Sequence, residues 1–204
     1  MQLPGLRLEA PTVISDSVPK LTVESVGNHV YFYSDIDSDR GLALVRQIRQ
    51  LDEGLRNESL SRGMGKCFES ARPPIWLHIQ SPGGSLFAAF AIADQLKLVQ
   101  TPIYSVVEGF AASAGTILSC CCQRRYIMPR AFMMIHQLSS VAWGKYEEIK
   151  DEAHMLDMAM DLIVEFYREH TKMKASQIKN LLKHDSWFKA EECLGLGLAD
   201  AILE

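Results

Sequence analysis

The sequence predicts an α/β fold on a largely parallel sheet. Strand-like apolar runs alternate with stretches of helical spacing, as strand–crossover–strand units require. Two of the strand-to-helix junctions are rich in small residues, which suits sharp turns. No repeat, low-complexity tract or linker divides the 204 residues, so one domain is expected, over residues 30–204, behind an N-terminal arm at 1–29.

The arm contains Pro4, Pro11 and Pro19 and reads as irregular. Leu21 to Val26 and His29 to Tyr33 flank Gly27-Asn28 and read as two short strands around a turn. Asp35 to Asp39 offers helix caps, and Leu44, Ile48, Leu51 and Leu55 recur at helical spacing. Ser59 to Pro74 is polar and reads as a surface loop. Pro74 to Gln80 (PIWLHIQ) is a compact strand that ends in SPGG, before a helix with Phe87, Ile92, Leu96 and Val99 on its apolar side. Ile103 to Val107 is the next strand. Gly109 to Cys122 is expected to begin as a turn and continue as a small-residue helix. Tyr126 to Met128 and Ala131 to Gln137 read as strands. From Gly144, a long helix has Tyr146, Ile149, Ala153, Leu156, Met160, Ile163 and Tyr167 at spacings of three and four. A short helix (175–182), a strand near Trp187, a helical turn and a last strand (198–203) complete the chain.

Composition narrows the function. Hydrophobic residues make up 48% and charged residues 23%, enough to bury a core. With 21 basic and 25 acidic side chains the net charge is −4, which argues against nucleic-acid or anionic-membrane partners recruited by overall charge. The longest membrane candidate, Phe110 to Cys122, falls short of the roughly 20 apolar residues a span needs. MQLPGLRLEAP lacks the basic-then-apolar pattern of a secretory signal, so a cytoplasmic setting, or an organelle matrix or stroma, is expected. The five cysteines include the run Cys120-Cys121-Cys122 and no CxxC pair. They read as small buried residues rather than metal ligands, and no metal is expected. No P-loop occurs, so the chain has no ATP-binding signature of its own.

Chemistry is expected at the two small-residue junctions. In Ser81-Pro82-Gly83-Gly84-Ser85, paired glycines can expose backbone N–H groups, although a plain tight turn would look the same. In Glu108-Gly109-Phe110-Ala111-Ala112-Ser113-Ala114-Gly115, a hydroxyl stands at a helix start among small neighbours. A capping or packing serine would also fit. A serine nucleophile needs a base. Of six histidines, His154 and His170 on the long helix read as solvated, His78 as buried in its strand and His29 as part of a turn. His136 comes where its apolar strand should leave the sheet. His184 and Asp185 are neighbours on an extended chain and point apart, so Asp185 is free to orient a histidine from elsewhere. Ser113, His136 and Asp185 form a candidate triad. GxSxG is absent and the order differs from that of the α/β-hydrolases.

Together SPGG at 81–84, GFAASAG at 109–115, MMIHQ at 133–137, and Asp185 followed by an aromatic and Ala190-Glu191-Glu192 resemble the ClpP family, the proteolytic subunits of Clp-type serine peptidases. The separations agree: 29 residues from Gly84 to Ser113, and 49 from His136 to Asp185. The resemblance runs from about Val30 to Leu203. It implies the ClpP/crotonase-like fold of repeated β-β-α units with a protruding handle helix at about 144–171. It also implies Ser113 as nucleophile, His136 as base, Asp185 as orienting group, and the N–H groups of Gly84 and Ala114 as oxyanion hole. Family membership would make the chain part of heptameric rings, commonly paired into a double ring, that hydrolyse unfolded polypeptide fed by an AAA+ unfoldase. That partner, not this chain, would use ATP, and no cofactor is implied.

Departures from the family pattern are Ala114 in place of Met, Leu138 in place of Pro after His136-Gln137, and Lys183-His184 in place of an Asp-Arg pair. The segment Asp52 to Arg72 is also longer than usual. These changes leave open a non-catalytic or weakly active structural subunit of a mixed ring. A crotonase-like acyl-CoA enzyme would share the fold but has no use for the triad.

Overall fold

The computed structural model describes residues 23–61 and 72–204. Among them are eight strands, β1 (Val23–Val26), β2 (His29–Phe32), β3 (Ile75–Ser81), β4 (Ile103–Ala112), β5 (Arg124–Ile127), β6 (Phe132–Ile135), β7 (Ser186–Lys189) and β8 (Ala201–Ile202). Six helices accompany them: α1 (Ser38–Ser61), α2 (Leu86–Lys97), α3 (Ala114–Cys120), α4 (Tyr146–His170), α5 (Ala175–Leu181) and α6 (Ala190–Leu196). The sheet runs β1-β2-β3-β4-β5-β8, with β6 paired to β4 and β7 paired to β6. Only β1–β2 and β6–β7 pair antiparallel; every other pair is parallel. The α/β expectation with a largely parallel sheet is met.

Alternation along the strands separates the two faces. Val30 and Phe32 of β2, Ile75, Leu77 and Ile79 of β3, and Ile103 and Val107 of β4 are all buried. They share the core with Leu44 and Ile48 of α1, Ala89 and Ile92 of α2, and Ile117 and Leu118 of α3. Burying this many aliphatic side chains at about 1.5–3 kcal/mol each fixes the sheet against its helices.

Several expected boundaries shift. Helix α1 runs to Ser61, so the first part of the expected loop at Ser59 to Pro74 is helical; residues 62–71 of it lie outside the described residues. So does the arm up to residue 22, while Val23–Val26 pairs with β2. Helix α2 stops at Lys97, and Phe87, expected on its apolar side, is exposed. The last strand shrinks to Ala201–Ile202, although Asp200 and Leu203 donate N–H bonds to Arg125 and Ile127 on either side of it.

The apolar side of α4 divides. Ile163 and Tyr167 are buried in the chain's own core, whereas Tyr146 is 71% and Ile149 43% exposed. Half of the helix therefore anchors to the domain and half protrudes. His170 is not free in solvent: its ring stacks on Phe166 at 4.3 Å and bonds the Phe166 carbonyl at 2.8 Å. The cysteine run closes α3, where burial pushes the Cys120 thiol up to about 12. Among the described residues no group of three or more His, Cys, Asp or Glu is placed to hold a metal ion.

The opposite sheet face carries His29 and Tyr31 of β2, Trp76 and His78 of β3, and Tyr104 and Glu108 of β4. His29 Nδ1 lies 2.8 Å from His78 Nε2, and His78 Nδ1 lies 2.7 Å from Glu108 Oε1. The Tyr33 hydroxyl donates to the other Glu108 oxygen. Neutral histidines, each donating from Nδ1, satisfy the whole chain. Burial first, and His29 second, lower the His78 pKa from 6.5 to about 4. The unfolded chain thus binds a proton near pH 6.5 that folded His78 refuses until about pH 4. This contribution to stability is complete above pH 6.5 and is lost as pH falls toward 4. Burial pushes the Glu108 carboxyl up, which acts in the opposite sense. Urea unfolding of wild type and His78→Phe at pH 7 and pH 5 isolates the histidine. Wild type is expected to lose up to about 2 kcal/mol more than the variant on acidification; equal losses would contradict the assignment.

Candidate active site

Strand β4 explains how Ser113 is presented. Its first half pairs with β5 and its second half, Phe110 to Ala112, with β6. Between the halves the register with β3 shifts from Ile79↔Val107 to Ser81↔Ala111, and Gly109 takes φ 66° at this bulge. The turn expected at Gly109 is therefore strand through Ala112, because β3 and β6 pair with it from both sides. Only Ser113 separates β4 from α3. It absorbs the whole change of direction at φ 54°, ψ −127°, and is the one non-glycine residue with positive φ among those described.

Such a conformation costs of order 1–3 kcal/mol unless the surroundings enforce it. Here the Ser113 N–H donates to the Met134 carbonyl at 2.8 Å. The Ser113 carbonyl accepts from the Thr116 hydroxyl at 2.6 Å and from the Thr116 N–H at 3.0 Å. The Thr116 hydroxyl in turn meets that of buried Tyr167, 2.5 Å away on α4.

His136 emerges one residue past β6, two residues beyond the Met134 carbonyl that holds Ser113. Its Nε2 lies 2.7 Å from Ser113 Oγ. The antiparallel pair Ile135↔Ser186 brings Asp185 opposite His136. Asp185 Oδ1 stands 3.5 Å from His136 Nδ1, with 73% of the Asp185 side chain exposed. Hydroxyl and imidazole are in hydrogen-bond contact, while the carboxylate is a looser, solvated neighbour. An imidazole so placed can take the hydroxyl proton, and a carboxylate at Nδ1 favours the resulting cation.

The glycine loop packs directly on Ser113. Ile36 N–H donates to the Gly83 carbonyl and Ser85 N–H to the Ile36 carbonyl, both at 2.8 Å. Gly83 and Gly84 have φ 96° and 145°. A Cβ on Gly84 would sit 2.2 Å from the Ile36 oxygen, and one on Gly83 would sit 2.7 Å from Ser113 Cβ. No other residue fits at either place. Among the described residues, the N–H groups of Gly84 and Ala114 donate to no backbone carbonyl. Both residues line a cavity of about 520 Å³ that Ser113 and His136 share.

The family model described as Clp protease matches residues 28–204. The chain belongs to the Clp protease family. It is 36% identical to the ATP-dependent Clp protease proteolytic subunit 1 of Protochlamydia amoebophila over 197 residues, 95% of this chain and 87% of that one. Against the subunit of the same name from Chlamydia muridarum the identity is 37% over 134 residues, 64% of this chain and 70% of the relative. The Streptomyces avermitilis subunit 1 is 32% identical over 157 residues, covering 76% and 72%.

Within this Clp protease chain the five sequence-selected positions, Gly84, Ser113, Ala114, His136 and Asp185, converge on one place. Residues that the sequence reading did not assign to the site also line it: Phe87, Glu152 and Tyr167. Phe87 lies three residues after Gly84, in the first turn of α2, which was a usable signal. Glu152 and Tyr167 arrive from a distant helix, and only the tertiary fold reveals them. The other histidines lie elsewhere: His29 and His78 on the far sheet face, and His154 and His184 exposed.

The backbone at Ser113 yields a stability test. Ser113→Ala and Ser113→Gly both delete the hydroxyl, but only glycine relaxes at φ 54°. Ser113→Gly should be about 1 kcal/mol more stable than Ser113→Ala by urea unfolding, net of the greater chain entropy of glycine. A less stable glycine variant would show that the junction is not strained.

Proposed function

We propose that this chain is a serine endopeptidase subunit of a self-compartmentalised ring protease, with Ser113, His136 and Asp185 as its triad. The observation that carries the reading is the 2.7 Å contact between His136 Nε2 and Ser113 Oγ on a clamped, positive-φ serine. His136 removes the Ser113 proton as Oγ attacks the peptide carbonyl. The N–H groups of Gly84 and Ala114 receive the charge that develops on the carbonyl oxygen, each such donor being worth about 10²–10³ in rate. The C–N bond then breaks as His136 gives its proton to the departing amine. Water repeats the sequence on the acyl-serine and frees the enzyme. Asp185 holds the Nδ1 proton toward itself, fixing the tautomer, and stabilises the imidazolium. The substitution of Ala114 for the usual Met leaves this chemistry intact, because the donor is a backbone group.

The relatives named above bear the words ATP-dependent in their names, and this chain has no P-loop. We therefore assign ATP hydrolysis to an AAA+ unfoldase that threads unfolded polypeptide into heptameric rings of this subunit, paired into a double ring. The exposed half of α4, with Tyr146 and Ile149, supplies apolar surface suited to a neighbouring subunit. The loose, exposed Asp185 favours one second reading, a weakly active structural subunit of a mixed ring that needs a partner to complete the triad.

A fluorophosphonate probe followed by native mass spectrometry tests both readings. Ring-sized assemblies labelled at Ser113 are expected, and Ser113→Ala should assemble but lose labelling and reduce peptide hydrolysis to background. Cleavage unchanged in that variant would eliminate the peptidase assignment. Labelling that appears only after a second subunit is added would select the mixed ring.

A further inference from the structure

The cavity beside Ser113 contains one carboxylate for which the catalytic steps have no use. Glu152, Leu156, Ala159, Ile163 and Tyr167 occupy one face of α4 and form a wall of the cavity. From Tyr167 to Leu156 that wall is apolar apart from the tyrosine hydroxyl, which Thr116 engages, and Ile117 continues it behind Ser113. Glu152 stands at its outer end, half-buried. The Ser140 hydroxyl donates to Oε1 at 3.1 Å, and no lysine, arginine or histidine pairs with Glu152 among the described residues. Its neighbours differ: Glu148 pairs with Lys145 at 3.8 Å and Glu147 with Lys150 at 3.3 Å. Among the described residues, Glu152 is the only acidic or basic side chain besides His136 that lines the cavity.

A half-buried carboxylate against apolar walls gains most from a cation that arrives with its own apolar stem. At 1.5 Å per residue, Ala159 and Glu152 lie about 10 Å apart along α4. In an extended peptide, side chains two residues apart point the same way at about 7 Å spacing. If the residue that contributes the attacked carbonyl places its side chain against Ala159 and Ile163, the residue two before it points toward Glu152, and a long side chain spans the remainder.

We infer that Glu152 determines specificity: the site prefers lysine or arginine two residues before the scissile carbonyl. The inference rests on the peptidase reading of Ser113. An acidic residue at the second position meets an unpaired carboxylate and is disfavoured.

Three fluorogenic peptides test it, identical except for lysine, norleucine or glutamate two residues before a leucine at the scissile bond. For the assembled wild type, kcat/KM should favour lysine over glutamate by tenfold or more, about 1.4 kcal/mol per factor of ten, with norleucine between. Glu152→Gln, which preserves size and the ability to bond Ser140, should narrow that ratio to about twofold. Glu152→Lys should invert it. An unchanged ratio in Glu152→Gln, or cleavage of all three peptides at one rate by wild type, would overturn the inference. The same labelled peptides, bound to Ser113→Ala with and without Glu152→Gln and followed by anisotropy, read the preference without hydrolysis. Absent cleavage and absent probe labelling would then count against the peptidase, whereas equal binding of lysine and glutamate peptides counts against Glu152 alone.

Discussion

The molecule is organised around a single backbone constraint, the reversal at Ser113. A strand that has just bulged at Gly109 must become a helix within one residue, and the chain achieves this only in a conformation that side chains ordinarily avoid. Three independent elements enforce it. Strand β6 offers the Met134 carbonyl, α3 returns the Thr116 hydroxyl, and α4 supplies the Tyr167 partner that fixes that threonine. Each is a backbone or buried polar group that would be unsatisfied if the turn relaxed, so the cost of losing them exceeds the strain they hold. The two glycines belong to the same device. Gly83 is excluded from having a side chain by Ser113 itself, and Gly84 by Ile36. The loop, the serine and the start of α3 are consequently one packed unit.

That unit explains why the sequence was legible here and less so elsewhere. SPGG and GFAASAG stand out because backbone crowding leaves no room for a side chain at Gly83 and Gly84 and little at Gly115, and a steric demand leaves a local mark. His136 could be chosen among six histidines because it ends an apolar strand, and the structure places it just past β6. Asp185 was reachable by a similar argument, since the strand after it pairs antiparallel with β6. The errors have the opposite origin. Phe110 to Ala112 is strand rather than turn because β3 and β6 flank it, and neither contact is visible in a window of small residues. Glu152 has the composition of any solvated helical residue, and its place on the cavity wall follows from where α4 docks.

His78 illustrates the same limit on the other side of the sheet. In isolation IWLHIQ is an apolar strand with one stray histidine. In three dimensions β2 and β4 bring His29 and Glu108 to its two ring nitrogens, completing a chain of neutral donors and acceptors. A buried imidazole is tolerated only because both nitrogens are satisfied, and those partners lie 49 and 30 residues away in sequence.

Helix α4 links this local chemistry to the larger assembly that the proposed function requires. Its inner half is tied to the domain through Ile163, Phe166 and Tyr167, and the Tyr167 hydroxyl reaches the threonine that clamps Ser113. Its outer half leaves Tyr146 exposed, preceded by Trp143 at 98% exposure. Large aromatic surface of this kind is costly to keep in water and is normally covered by a partner. One rigid helix therefore joins a surface suited to a neighbouring subunit to the hydrogen bond that holds the serine in its strained geometry. Along the stretch between, the same helix walls the cavity through Leu156 and Ala159 and ends that wall at Glu152. A shift of α4 on subunit contact would move the clamp, the apolar wall and the carboxylate together, because they lie on one face of one element and cannot move independently. In the proposed subunit, assembly, substrate selection and the serine would then be mechanically in series.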